Sequence, residues 1–492
     1  MPLHAHWRPV LLVLDAGSAS IRAVLFDEAG RLLKLHRRSI TTQRPQPGHA
    51  ELDPAALLAA TDQVIGRCLK DCRRGELTPV SLGLSVQRSS FLLWDASGRA
   101  AGGHKAAGPV ISWQDTRAAS VIDRFRSGAG EITARTGLPL SPHFGGPKLA
   151  WLVAGDPTLK PRLSRGDLKF VPLSSLLIEH LTGNLLVDET IAGRSLVYDI
   201  HRRKWDDGLL DIFGWPRAAL PELVPSDGDY GTMRRAGFEV PLRLCLGDQQ
   251  AAMTGLGATG AGELAINYGT SGSVLLHTGD RPAPVEGLLS NVAWSTAGRA
   301  EYLLEGTVNA VGALFSWFAG EEKRPELVRR WSRLAAADTD LVLVPGINGL
   351  AAPYWRPDVQ TTFQPPDGEH SLGDRLRAGI ASIAHLTTDI VERMEGALAD
   401  HPLTHIHCGG GMAQPPLLQL QADLLERPLH RHRIREATAR GVALRLARSL
   451  GWNDFAAGSP AGGTRYTPAM TAQDRTGHRR RWKSAVDIAL GR

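Results

Sequence analysis

The stretch that decides the fold is Val10–Arg22, which reads VLLVLDAGSASIR. An apolar run ends at the carboxylate Asp15, and small residues then form a tight turn before the next apolar segment. Gly17 tolerates left-handed backbone angles, the Ser18 hydroxyl can donate a hydrogen bond, and Arg22 can face anionic oxygens. A polyphosphate with a divalent cation needs such backbone donors and an acidic anchor. The segment alone fits a phosphate-binding β-hairpin and an ordinary hairpin turn equally well.

Length and charge limit the class of protein. A chain of 492 residues exceeds what one hydrophobic core usually supports, so we expect two domains with a cleft between them. The formal net charge of +6 suits an anionic ligand such as ATP and does not require nucleic acid. We expect the densest basic run, residues 478–483, to be a solvated surface.

The cysteines and the apolar segments indicate a cytoplasmic protein. The four cysteines are too few and too scattered for a disulfide framework or a zinc cluster, which fits a reducing compartment. The N-terminal apolar run is too short for a signal sequence or a membrane span. The pair His405 and His407, on one face of a predicted strand, is interpreted as a structural or accidental feature.

Apolar strand-like runs alternate with helical patterns along the chain, which predicts an α/β fold. A strand followed by a glycine-containing turn recurs at 15–22, 247–257 and 268–274, which suggests two similar halves that face each other. Helices are predicted from Asp53-Pro54 to about Lys70 and from about Leu376 to Leu398. Strands are predicted near residues 10–15, 20–27, 81–86, 90–95, 242–247, 263–268, 272–277, 341–345 and 404–408.

Three further groups of residues carry chemistry. Asp248 ends an apolar strand and could take a proton from a substrate hydroxyl, although an N-cap role is the simpler alternative. The segment 267–273 is a second glycine and hydroxyl turn that could hold phosphates. The glycines at 409–411 would let the backbone approach a flat ligand such as adenine, and a plain turn explains them equally well.

In this order, these motifs resemble the FGGY family of carbohydrate kinases, and the resemblance covers nearly the whole chain. It implies an α/β fold of two actin-like (ribonuclease H-like) domains, residues 1–246 and 247–455, with a nucleotide and substrate cleft between them and a tail at 456–492. The other stretches that carry the resemblance are 48–54, 86–88, 111–117, 136–139, 148–152, 180–183, 305–317, 409–423 and 436–441.

The resemblance also implies roles for single residues and two cofactors, ATP and Mg²⁺. It implies that Asp248 is the general base and that Asp15 organises Mg²⁺. The positions that resemble substrate contacts are Arg88, Ser89, Trp113, His143, Asp248 and Gln249. The positions that resemble nucleotide contacts are Ser18, Ala19, Arg22, Gly269, Thr270, Gly312, Ser316, Gly410 and Gly411.

Within the family, the local resemblance is to glycerol kinases, and the departures from them concern the acceptor. Ser89 stands where those kinases have a glutamate that binds a glycerol hydroxyl, and His143 stands where they have a tyrosine. Loss of a charge-assisted hydrogen bond would cost glycerol roughly 1.5 to 3 kcal/mol and would open space for a longer polyol or a ketose such as xylulose. On the nucleotide side, Gln414-Pro415 replaces an asparagine.

Three classes of function are compatible with these motifs: a small-molecule kinase, an actin-like or chaperone-type ATPase, and a silent sugar or nucleotide sensor. An ATPase acting on protein would not need Arg88, Trp113 and Asp115, and a silent relative would lack Asp15 or Asp248. We therefore expect phosphorylation of a hydroxyl on a small sugar or polyol. No nucleic acid or membrane partner is expected, and a homodimer is left open.

Overall fold

The computed structural model describes residues 6–96, 106–318, 324–334, 339–366, 370–398, 402–434, 436–457 and 463–492. The sequence of residues 458–463 predicts a loop, and all of it except Gly463 lies outside the described residues.

The strands are β1 (Arg8–Ala16), β2 (Ser20–Phe26), β3 (Leu32–Ser39), β4 (Glu51–Leu52), β5 (Leu77–Val86), β6 (Phe91–Asp95), β7 (Val110–Ile111), β8 (Leu168–Pro172), β9 (Leu186–Asp188), β10 (Tyr198–Asp199), β11 (Lys204–Trp205), β12 (Glu222–Val224), β13 (Thr232–Arg235), β14 (Phe238–Gly247), β15 (Glu263–Tyr268), β16 (Gly272–Gly279), β17 (Leu289–Ser295), β18 (Ala300–Val308), β19 (Val342–Val344), β20 (Thr362–Gln364), β21 (His405–Gly409), β22 (Leu429–Arg431) and β23 (Thr464–Tyr466).

The α-helices are α1 (Pro54–Arg74), α2 (Ala129–Thr136), α3 (Gly145–Gly155), α4 (Leu159–Arg165), α5 (Leu173–Thr182), α6 (Glu189–Ala192), α7 (Asp207–Phe213), α8 (Asp248–Leu256), α9 (Gly312–Phe318), α10 (Arg324–Trp331), α11 (Leu372–Glu395), α12 (Pro415–Leu425), α13 (Ala437–Ser449), α14 (Asp454–Ala457) and α15 (Ala472–Leu490).

Each half of the chain contains a sheet with the same central pattern. In the first half the order is β13-β14-β5-β1-β2-β3, where β1, β2 and β3 are antiparallel and β1, β5 and β14 are parallel. In the second half the order is β17-β18-β16-β15-β21-β22-β23. There β15, β16 and β18 are antiparallel, and β15, β21 and β22 are parallel. The expectation of two similar halves is confirmed.

The predicted strands and the two predicted helices are all present, with small differences at their ends. The α1 helix begins as the sequence predicts, because the Asp53 carboxylate accepts a hydrogen bond from the Ala55 N–H at 2.9 Å and Pro54 occupies the first turn. The domain boundary at 246/247 stays a prediction, and the last strand of the first sheet ends at Gly247.

Helices α8 and α13 cross at two glycines and join the halves. A Cβ atom on Gly255 would lie 1.8 Å from the Ala437 carbonyl oxygen, and one on Gly441 would lie 1.8 Å from the Ala251 carbonyl oxygen. Helix α13 also rests on the first sheet, where a Cβ on Gly83 would lie 2.3 Å from Val442. These three positions leave no room for a Cβ atom, so each of them requires glycine.

The basic run at 478–483 is a solvated surface only in part, because Arg480 and Lys483 are exposed whereas Arg479 and Trp482 are buried. Trp482 on α15 is 1% exposed, and its indole N–H donates to Asp389 on α11 at 2.8 Å. The Arg479 guanidinium donates to Asp389 at 2.7 Å and to Glu392 at 2.9 Å. Two carboxylates on α11, which is distant in sequence, neutralise the buried arginine. The sequence alone did not reveal that α11 packs against this run.

None of the described helices is long and apolar enough to span a bilayer.

Candidate active site

The predicted acidic residues meet at one edge of the first sheet. Strands β1, β5 and β14 are parallel neighbours, and Val86 at the end of β5 pairs with Ala16 on one side and Gly247 on the other. Asp15 lies near the end of β1, Arg88 follows β5, and Asp248 follows β14. In parallel sheets, ligands bind beyond the carboxyl ends of the strands, so this edge is a candidate active site.

Asp15 is a buried carboxylate in an acidic neighbourhood. The pKa of Asp15 is raised to about 7, chiefly by burial; Arg22 opposes that shift, and Asp248 and Glu436 contribute to it. The Arg22 guanidinium lies 3.4 Å from Asp15 and donates to Glu436, in the second half of the chain, at 2.9 Å. Arg22 therefore links the halves beside the first turn.

Asp248 is the first residue of α8, and Gly247 occupies the N-cap position. Its carboxylate accepts a hydrogen bond from the Gln249 N–H at 2.9 Å, and its other close polar neighbour is the Arg88 guanidinium at 3.4 Å. Because an N-cap side chain bonds to N–H groups two or three residues further on, the simple cap role does not describe this carboxylate. Burial raises the pKa of Asp248, and Arg88 opposes that shift.

Arg88 is fixed by an ion pair between the halves. Its guanidinium donates two hydrogen bonds to Glu305 on β18, at 2.7 and 2.8 Å. Arg194, on the loop after α6, lies 3.5 Å from the same carboxylate. Burial acts to raise the pKa of Glu305, but the two arginines outweigh it and hold that pKa at about 2.

A loop wall stands beside this ion pair. The Trp113 ring is 40% exposed, and its indole N–H donates to the Ser18 hydroxyl at 2.9 Å. His143 Nδ1 lies 3.1 Å from the Trp113 carbonyl oxygen. The buried Lys148 ammonium donates to the Ser112 carbonyl at 2.8 Å and so holds the same loop.

Ser89 follows Arg88 with a φ of 61°, and the Gln249 side-chain oxygen is buried without a hydrogen-bond partner among the described residues.

Two turns face the candidate nucleotide region. The Gly17 N–H bonds to the Ser20 carbonyl at 3.1 Å, and the Gly269 N–H bonds to the Ser271 carbonyl at 3.0 Å, so both glycines close their own hairpins. Donors for a phosphate would therefore come from neighbouring residues such as Ser18, Ala19 and Thr270.

Helix α9 and the third glycine turn are attached to the second hairpin. The Gly312 N–H donates to the Gly269 carbonyl at 3.0 Å, and Ser316 lies exposed one turn further along α9. Gly410 has a φ of 97°, and a Cβ there would lie 2.3 Å from the Tyr268 carbonyl oxygen, so only glycine fits. Gly411 has open space around it. The structure thus brings together the positions in the second half of the chain that were predicted to contact the nucleotide.

Comparison with known proteins decides the family. The profile of the N-terminal domain of the FGGY family of carbohydrate kinases matches residues 10–255, and the profile of the C-terminal domain matches residues 264–450. The chain belongs to the FGGY family of carbohydrate kinases. It is therefore a phosphotransferase that uses ATP and acts on an alcohol group of a small sugar or polyol.

Relatives of this FGGY kinase include the glycerol kinases of Thermus brockianus, 36% identical, and Alkalilimnicola ehrlichii, 35% identical, each covering 98% of both chains. Similar solved structures include a glycerol kinase of Plasmodium falciparum with ADP, with a TM-score of 0.89 and 23% identity. A xylulose kinase of Lactobacillus acidophilus has a TM-score of 0.84 and 21% identity. Both alignments cover 98% of each chain, and they confirm the two-domain actin-like fold.

Sequence reasoning gave no role to three charged residues of the FGGY site. Glu305 and Glu436 lie in stretches that carried the family resemblance, and Arg194 follows α6 in the first half. Their partners are distant in the chain: Arg88 and Glu305 are 217 residues apart, and Arg22 and Glu436 are 414 apart. An acid that follows the strand-like run at 300–304 was the available signal for Glu305.

We expect Asp15 to make the ligand-free protein less stable as pH rises. An unfolded aspartate has a pKa near 3.8, whereas that of folded Asp15 is about 7. Between these values the folded state binds more protons than the unfolded state, so the free energy of unfolding falls with increasing pH. Asp15→Asn should remove a decrease on the order of a few kcal/mol between about pH 4 and pH 7.

Urea denaturation across that window measures this effect. The wild-type protein is the reference. Burial also raises the pKa of Asp188 to about 7, but Asp188 contributes equally to the pH dependence of both proteins, so the difference between them reports on Asp15. Parallel pH profiles for the two proteins would contradict the assignment of a raised pKa to Asp15.

Proposed function

We propose that this FGGY kinase transfers the γ-phosphate of ATP to a hydroxyl of a small polyol or sugar, with Asp248 as the general base. The observation that carries the proposal is the position of Asp248. It is a carboxylate at the substrate edge of the sheet whose side chain is 25% exposed, with one backbone hydrogen bond and a guanidinium 3.4 Å away. A general base needs an oxygen that is free to accept a proton.

The neighbours of Asp248 suit that role. Burial favours the protonated acid, and the charge of Arg88 favours the carboxylate. A pKa above the usual range for aspartate makes the carboxylate oxygen a stronger base for the proton of the attacking substrate hydroxyl. Because Glu305 holds Arg88 by two hydrogen bonds, Arg88 can orient an acceptor hydroxyl without moving.

The residues present fit Mg²⁺ and ATP. Magnesium takes most of its ligands from water and phosphate oxygens, so it does not need a cage of protein carboxylates. This agrees with the finding that the described residues contain no group of three side chains able to hold a metal ion. We infer that Asp15 would orient the hydrated cation, which neutralises phosphate charge when bound. The positions around Ser18, Ala19, Arg22, Gly269 and Thr270 would hold the phosphates, and those around Gly312, Ser316, Gly410 and Gly411 the nucleoside.

The acceptor is proposed to lie among Arg88, Ser89, Trp113, His143 and Gln249. Relatives named glycerol kinases make glycerol the first compound to test. The small Ser89 and the half-open loop wall also suit an acceptor longer than glycerol. We infer a cytoplasmic location, because all four cysteines are buried free thiols. A homodimer stays a prediction.

An ADP-release assay with Mg-ATP tests this function across glycerol, erythritol, the pentitols, xylulose, ribulose and gluconate. We expect one or more acceptors to stimulate ADP release strongly above the rate without acceptor. Steady ADP release that no acceptor changes would contradict the proposal and would favour an ATPase. Tight ATP binding without ADP release would favour a sensor.

A further inference from the structure

The charges of the acceptor region point to the class of compound that the kinase phosphorylates. Resting on the proposed function above, we propose that the acceptor is a polyhydroxy acid whose carboxylate pairs with Arg194 while one of its hydroxyls faces Asp248. The reaction is the same phosphoryl transfer, in which the hydroxyl proton passes to Asp248 and ADP leaves.

Arg194 has no carboxylate of its own among the described residues. Its guanidinium reaches Glu305 at 3.5 Å, but Glu305 already accepts two shorter hydrogen bonds from Arg88. The Arg194 Nε atom is buried and has no hydrogen-bond partner within the described part of the chain. Two guanidinium groups therefore share the carboxylate of Glu305, and Arg88 makes the shorter hydrogen bonds to it.

Burial makes this arrangement costly without a further anion. Arg194 is 8% exposed. Burial and the like charge of Arg88 lower the pKa of Arg194 to about 10, which still leaves it charged at neutral pH. Buried charges are stable when they are paired and hydrogen-bonded. A planar guanidinium matches a carboxylate with two parallel hydrogen bonds, so a ligand carboxylate would supply the missing partner.

Besides Glu305, the carboxylate that acts on Arg194 is that of Asp248, the residue assigned to the acceptor hydroxyl. The guanidinium carbon lies 5.1 Å from the centre of the Phe144 ring, which supports one face of the group. Desolvation by the surrounding protein lowers the pKa of His143, the hydrogen bond to Trp113 opposes that shift, and Lys148 and Arg194 add to it, so the net effect favours the neutral ring. Asp115 accepts hydrogen bonds from Arg117 and from the Ala50 N–H, and is therefore occupied.

Arg194 and Asp248 are close enough to interact electrostatically, and Arg88 and Glu305 connect them. Arg88 contacts Asp248 at 3.4 Å and shares Glu305 with Arg194. Ser89, beside Arg88, contributes a neutral hydroxyl. A hydroxyl at Asp248 and a carboxylate at Arg194 describe an aldonate or a shorter hydroxy acid better than they describe a neutral polyol.

Steady-state kinetics with matched pairs tests the proposal. Each pair joins an acid to the neutral alcohol with the same number of carbons: glycerate and glycerol, erythronate and erythritol, ribonate and ribitol, gluconate and sorbitol. We expect kcat/KM for at least one acid to exceed that of its neutral partner by about 10-fold or more, the worth of one charge-assisted hydrogen bond. A preference for the neutral member of every pair would overturn the inference and leave the kinase function intact, whereas no transfer to any acceptor would count against both.

Two variants separate charge from structure. Arg194→Gln should raise KM for the preferred acid by about 10- to 100-fold and should change KM for its neutral partner far less, while Arg194→Lys, which keeps the charge, should recover part of the loss. Ser89→Glu adds a carboxylate beside Arg88 and should shift the preference towards the neutral member. Ser89→Gln is the matched uncharged control.

The Ser89 pair decides the question even if Arg194→Gln does not fold. If Ser89→Glu and Ser89→Gln change the two members of a pair by the same factor, the charge of the acceptor does not matter and the inference fails.

Discussion

Asp248→Asn is expected to lower kcat by about 100- to 10,000-fold, the range for loss of a general base. Asparagine keeps the size of the side chain and cannot accept the proton. Arg88 should keep its position, because Glu305 holds it by two hydrogen bonds at 2.7 and 2.8 Å. Affinity for ATP, measured by calorimetry, should therefore change little.

The matched control is Asp123→Asn, since Asp123 is an aspartate whose side chain is 74% exposed and pairs with the equally exposed Arg126. We expect wild-type kcat for that variant. A catalytic rate for Asp248→Asn within about 10-fold of the wild type would remove Asp248 from the role of general base.

Gly255→Ala is expected to cause a large loss of stability from a single methyl group. The added Cβ would lie 1.8 Å from the Ala437 carbonyl oxygen, which is backbone and cannot rotate away. Overpacking of this kind costs typically about 1–3 kcal/mol and occasionally more, and here it would separate α8 from α13. Because α8 begins at Asp248, kcat should fall as well. Urea denaturation measures the free energy of unfolding.

Gly66→Ala is the control for Gly255→Ala, because Gly66 is also inside a helix and has nothing within 4 Å of the position of the added Cβ. Replacing that glycine should stabilise the protein by roughly 0.5–1 kcal/mol. If the two substitutions changed stability equally, the close crossing of α8 and α13 would not be a constraint on the fold.

The sequence predicted the sheet edge because its signals are local. Asp15 follows an apolar run directly and Asp248 follows one after Gly247, and parallel strands bring the ends of such runs together. The glycine at 410 was also found from sequence, but its cause was not: the Tyr268 carbonyl leaves room for no Cβ.

The rest of the site depends on contacts that sequence patterns do not contain. The importance of Glu305 appears only when β18 is placed opposite Arg88, and Arg194 has the local appearance of an ordinary loop arginine. The basic run in α15 was misjudged for the same reason, because burial of Arg479 depends on Asp389, 90 residues earlier.

The most direct test of the kinase account follows the phosphate itself. The protein would be incubated with Mg²⁺, ATP carrying ¹⁸O in its γ-phosphate, and a pool of small polyols, ketoses and polyhydroxy acids, and the products would be resolved by mass spectrometry. We predict an ¹⁸O-labelled phosphate ester in an amount equal to the ADP formed. Label found only in inorganic phosphate, with no ester, would contradict transfer to an alcohol.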